Sequence, residues 1–176
     1  ILPRIYGIPS RRIDPLEPCV ISVGAIHGGT AENIIPSEVY VQGTIRSMSL
    51  KTRERLWAEL EDCFKLAQSM GGSCKFVLHK GYPSMVNDAM VNDWMRGVAS
   101  DLVGEQAIVN EPFGMGAEDF AYMIQAAPGA MFNLGAKTEG GGGHHTPKFA
   151  IDEEVMPIGA AMLAETARRF VTGKLQ

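Results

Sequence analysis

Alternating apolar and polar positions divide the first half of the chain into short elements. Cys19 to Ile26 is an apolar, β-branched run of strand length, ended by Gly28-Gly29. Asn33 to Ser37, around Pro36, is a turn. Val39, Val41 and Ile45 alternate with Glu38, Tyr40, Gln42, Thr44 and Arg46, which predicts a half-buried strand with Gly43 on its apolar side. The period then changes. After Ser49, a suitable N-cap, Leu56, Leu60, Phe64 and Ala67 recur at helical spacing until Gly71-Gly72. Cys74 to Tyr82 alternates again, with Phe76 and Leu78 on one face, and reads as a third strand. Residues 19–83 are therefore expected to run strand, strand, helix, strand. Before them, Pro3, Pro9, Pro15 and Pro18 are spaced too closely for a long helix, so residues 1–18 are expected to be an irregular lead-in.

The second half is patterned differently. Met85 to Val103 reads as a helix ended by Gly104, Ile108-Val109 as a short strand, and Glu118 to Ala126 as a short helix. Ala130 to Leu134 has almost no polar residues and reads as a buried strand. A glycine-rich loop follows from Gly135 to Ala150. Asp152 caps a last helix whose buried stripe is expected to be Met156, Ala160, Leu163, Ala167 and Phe170. The fold class is α/β. The change of character after Pro83 divides the chain into 1–83 and 84–176.

Composition narrows the function classes. The 176 residues are 45% hydrophobic and 20% charged, which is a globular rather than a disordered balance. A net charge of −4 argues against a general nucleic-acid binder. No apolar run reaches the roughly 20 residues of a membrane span, and Ile1 to Arg12 has no signal-peptide core. Cys19, Cys63 and Cys74 form no Cys-x-x-Cys pair and read as buried reduced thiols, so the expected location is the cytoplasm.

Candidate chemistry centres on histidine. His79 lies in an alternating segment beside Lys80 and reads as a surface or packed residue. His27 follows a strand and precedes Gly28-Gly29-Thr30, so its ring is presented on flexible backbone, either for function or as a turn histidine bonded to backbone. His144 and His145 end a four-glycine run and are stopped by Pro147. A neutral imidazole is a good ligand for several divalent metals. Neighbours in extended chain point opposite ways, so at most one of the pair is expected to be a ligand. A catalytic metal usually needs about three protein ligands, so this pair alone is an incomplete site. Glu118-Asp119 reads mainly as a helix cap. Serine-hydrolase elbows, phosphate-binding loops and dinucleotide fingerprints are missing.

Five ordered motifs together carry a resemblance. They are Val23-Gly-Ala-Ile-His27-Gly-Gly-Thr-Ala31 with Asn33 to Pro36; Gly43-Thr-Ile-Arg46; Gly116-Ala-Glu-Asp-Phe-Ala-Tyr122; Pro128-Gly-Ala with Asn133-Leu-Gly135; and His144-His-Thr-Pro-Lys-Phe149 with Ile151-Asp-Glu153. From residue 13 on, the chain resembles the amidohydrolase branch of the aminoacylase/carboxypeptidase-type dinuclear metallopeptidases, which includes hippurate, N-acyl-amino-acid and auxin-conjugate hydrolases.

The resemblance implies a metal-binding catalytic domain interrupted by a lid that also dimerises. Residues 1–83 correspond to part of the lid and 84–176 to the closing part of the catalytic domain. It implies two divalent metal ions, zinc or manganese, with His145 as the last ligand and His144 as a neighbour that is not generally one. It also implies that His27 reaches a catalytic site, typically across a homodimer, to stabilise an oxyanion. Asn33 and Arg46 would contact substrate, Arg46 through a carboxylate. The substrate class implied is the N-acyl amino acid or small peptide, cleaved by a metal-activated water. The family's His-x-Cys or His-x-Asp segment and its Glu-Glu pair do not occur in this sequence. The chain is therefore expected to be a fragment, inactive alone, of a longer enzyme. The alternative is a non-catalytic dimerisation or binding module of the same descent.

Overall fold

The structure, a computed structural model, describes residues 1–111 and 114–175. It is a mixed helix-and-sheet fold in two compact units, one built from residues 1–85 with 114–119 and the other from 86–111 with 120–175.

The first unit begins with a helix, α1 (Leu2–Arg12), where an irregular segment was expected. Pro3 falls in the first turn, where its missing N–H has no helical partner to lose. Pro9 lies inside the helix and costs about 3 kcal/mol. Ile5 and Ile8 offset this cost: each is 1% exposed and contributes roughly 1.5–3 kcal/mol of burial. Their i, i+3 spacing was the helical signal, and the prolines obscured it.

Strands β1 (Cys19–Gly28) and β2 (Val39–Ser47) pair antiparallel. Helix α2 (Leu50–Ser69) follows, and the Ser49 hydroxyl accepts from the Thr52 amide at 3.2 Å as its N-cap. Leu56, Leu60 and Cys63 of α2 join Ile5, Ile8 and Ile13 in one core, with Ile21, Val23 and Ile45 of the strands packed against it. The core therefore lies between the two helices and one face of the sheet.

The third strand expected over Cys74 to Tyr82 does not form: the sheet has two strands among the described residues. Cys74, Phe76 and Leu78 are half-buried while Lys75, Val77 and His79 are exposed, so the alternation is real. What it reports is a buried side-chain face rather than a backbone ladder. The segment is held by side chains: Phe76 lies 5.8 Å from Phe64, and Arg53 and Lys80 sit over the Trp57 ring at 4.8 and 5.2 Å. Arg53 also donates to the Gly81 carbonyl at 2.5 Å.

In the second unit, α3 (Ala89–Val103) starts four residues later than expected because Asp88 caps it, accepting from the Val91 amide at 3.0 Å. Asn87 has a different task. Its side chain accepts from the Met131 amide at 3.0 Å and donates to the Met131 carbonyl at 2.9 Å, as a neighbouring strand would. Ala130 to Leu134 is thus held by a side chain and is not a paired strand among the described residues. No strand forms at Ile108-Val109 either; a turn of 3₁₀-helix, Glu105–Ala107, precedes it. Helix α4 (Phe120–Met123) is only four residues of the nine expected.

The last helix, α5 (Met156–Val171), packs on α3 through a different face from the one expected. Met162 is its buried residue, whereas Met156, Leu163 and Phe170 are 52%, 58% and 61% exposed. Arg169 explains part of the choice. It donates to Asp101 of α3 and to Glu165, both at 2.7 Å; of the expected stripe, Phe170 still meets Trp94 of α3, at 5.8 Å. Hydrogen bonds from Arg168 and Arg169 hold the Glu165 carboxyl down at about 2. No helix among the described residues is long and apolar enough to cross a membrane.

Candidate functional site

His27 lies within β1 rather than after it, opposite Tyr40 near the end of the ladder. Its orientation depends on an irregularity. Ile21, Val23 and their partners Ile45 and Gly43 belong to the helix-covered face, and simple alternation would place His27 there too. The register shifts between Val23 and Ala25, so one extra residue enters β1 at Gly24. Beyond this bulge His27 pairs with Tyr40, in phase with Gln42, Thr44 and Arg46 on the uncovered face. Gly43 permits the bulge, because a Cβ on it would collide with the Ser22 carbonyl oxygen.

His27 and Arg46 therefore share a face but not a location. Arg46 pairs with Val20, about 20 Å along the ladder from His27. Asn33 is exposed in the turn joining the strands, at the His27 end. The Arg46 guanidinium donates to a backbone carbonyl, that of Met115, at 2.5 Å rather than to a carboxylate. That link places the glycine-flanked Met115 against the far end of the hairpin, a role the sequence did not suggest.

The loop at Gly135–Ala150 is closed on itself. Lys137 bridges Ile151 antiparallel, and Gly142 bridges Phe149 parallel, with the Gly142 amide donating to the Lys148 carbonyl at 2.7 Å. Residues 144 and 145 lie in a turn, so the alternation of an extended chain does not decide which of them points outward. The rings themselves do. His144 lies against Phe149 at 5.2 Å, while the one ring beside His145 among the described residues is that of His144, at 6.5 Å. His145 is exposed and makes no hydrogen bond among the described residues. It is also the one non-glycine residue with positive φ among them, at 62°.

As a ligand, His145 fits a divalent metal in its chemistry and exposure. No group of three or more His, Cys, Asp or Glu placed to hold a metal occurs among the described residues. The described residues thus offer His145 as a single donor, short of the three or so protein ligands that a catalytic metal usually has.

The sequence profile of peptidase family M20/M25/M40 matches residues 10–169. The chain belongs to this family. Among the relatives of this M20 chain, thermostable carboxypeptidase 1 of Saccharolobus solfataricus is 36% identical over 171 residues, 94% of this chain and 43% of the relative. N-acetyl-L-cysteine deacetylase of Bacillus subtilis is 30% identical, over 95% of this chain and 39% of the relative. A solved structure from methicillin-resistant Staphylococcus aureus, provisionally described as an aminohydrolase, superposes with a TM-score of 0.84 at 26% identity. The match covers 99% of this chain and 45% of that one. The M20 chain thus spans less than half the length of the proteins it matches.

Proposed function

We propose that this M20 chain serves a metal-dependent amidohydrolase that cleaves the amide bond of N-acyl amino acids or small peptides. The observation that carries the reading is His145: an exposed imidazole without a hydrogen-bond partner among the described residues, on a closed loop of a chain belonging to a peptidase family. The relatives named carboxypeptidase and N-acetyl-L-cysteine deacetylase support the substrate class.

In this reading residues 1–83 act as a lid that dimerises, and 84–176 contribute to the catalytic domain. Two divalent ions, zinc or manganese, would supply Lewis acidity and a water acidic enough to attack at neutral pH. His145 would hold one of them. His27 would donate a hydrogen bond to the oxyanion that develops on the amide carbonyl, across a homodimer. Asn33 would orient the substrate, and Arg46 would exchange its bond to the Met115 carbonyl for the stronger, charge-assisted bond to a substrate carboxylate. The setting would be the reducing cytoplasm, consistent with the free thiols Cys19, Cys63 and Cys74.

The test uses the intact protein and an N-acetyl amino acid. Amino-acid release should be abolished by a chelator and restored by zinc or manganese. His145→Ala should lower metal content and activity together. His27→Ala should retain metal and lose about 10²–10³ in kcat. A His145→Ala protein with normal metal content and turnover would remove the ligand assignment.

A further inference from the structure

The left-handed backbone at His145 is expensive in a place where it need not be. Gly140 does take a positive φ, at 76°, but a second one, at 62°, falls on His145 rather than on Gly141, Gly142 or Gly143, for which such a conformation is free. For an L-residue this conformation costs roughly 1–2 kcal/mol. Such strain persists only where surrounding contacts over-determine it.

Here the contacts are specific. The Thr146 hydroxyl donates to the Gly143 carbonyl at 2.8 Å, spanning the two histidines. The Phe149 amide donates to the Thr146 carbonyl at 3.1 Å, and the Gly142 amide donates to the Lys148 carbonyl. Phe149 holds the His144 ring to one side. Gly142 is packed so closely that a Cβ would collide with the Thr146 hydroxyl. Residues on both sides of His145 are therefore fixed, while its own ring is left free of hydrogen bonds among the described residues.

We infer that Thr146 is a positioning residue: its hydroxyl bridge to Gly143 holds His145 in the strained conformation that presents the imidazole for metal binding. The inference rests on the metal reading for its purpose, but the strain itself does not. A residue that orients a ligand typically changes metal affinity 10–100-fold when it is lost.

Two measurements on the intact protein separate the parts. In the metal-free state, His145→Gly should melt roughly 2–4 °C above His145→Ala, because only glycine relieves the backbone. Equal melting temperatures would overturn the strain. In a Co²⁺ titration, Thr146→Val should bind about tenfold more weakly than the parent, and Thr146→Ser should recover most of the loss. Thr146→Val with parental Co²⁺ affinity, beside a His145→Ala that has lost it, would overturn the positioning role alone. If His145→Ala also binds Co²⁺ normally, the ligand reading fails and the purpose of the strain fails with it. A loss shared equally by Thr146→Val and Thr146→Ser would assign the effect to loop packing, against a role for the hydroxyl.

Discussion

At the scale of single residues, Gly43 governs where His27 points. The bulge at Gly24 needs the two backbones to close up across from it, and the 2.4 Å between a Cβ on Gly43 and the Ser22 oxygen leaves no space for alanine. The obstacle is backbone, so it cannot be relieved by a rotamer change. Gly43→Ala should destabilise the first unit by about 1–3 kcal/mol, read as a lower urea midpoint at unchanged slope. A midpoint equal to the parent's would show that the strands separate freely at this point. Alternation alone would place His27 on the helix-covered face. A bulge leaves no mark in a hydrophobic pattern beyond an isolated glycine, and this strand pair has several.

At the scale of elements, one buried carboxylate adds a polar tie to the apolar core that joins α1 and α2. Glu59 is 5% exposed, accepts a hydrogen bond from Arg12 of α1 at 2.9 Å and forms an ion pair with Arg55 at 2.6 Å. The Arg12 hydrogen bond holds the Glu59 carboxyl below its ordinary range, outweighing the burial that pushes it up. A lowered folded value means that the unfolded chain takes up the proton first. Glu59 thus contributes stability that is complete above the ordinary carboxylate range near 4.3 and is lost as pH falls through the lower folded value. Glu59→Gln should flatten that acid limb of the stability profile. A thermal-melt series from pH 6 to 3 with the same slope in both proteins would refute it. The ion pair also bears on what patterning reveals. Helix α2, its cap and the two strands were legible because each is amphipathic over its own length. Helix α1 was not, because four prolines outweighed a two-isoleucine stripe whose partners lie almost fifty residues away.

At the scale of the whole chain, the same limit explains the site and the last helix. His145, His27, Asn33 and Arg46 were named through motif resemblance, since no ligand set lies together among the described residues for spacing to disclose. The left-handed turn at His145 and the Met115 contact of Arg46 depend on contacts that no periodicity encodes. On α5, the stripe Met156, Leu163 and Phe170 is apolar at helical spacing, as a buried face would be, yet it is more than half exposed. Three such side chains at sevenfold intervals form a row along one side of the helix, and an exposed apolar row favours association. The 176-residue chain should therefore self-associate at micromolar concentration. Leu163→Lys should shift the population toward a single chain with a stability change within about 0.5 kcal/mol, because the position is already solvated in the folded unit. Met162→Ala, one residue away but 5% exposed, should cost about 2–5 kcal/mol. Light scattering paired with urea denaturation separates the two effects. A parent that scatters as one chain would refute the association, and a Leu163→Lys as destabilised as Met162→Ala would show that the helix buries the other face.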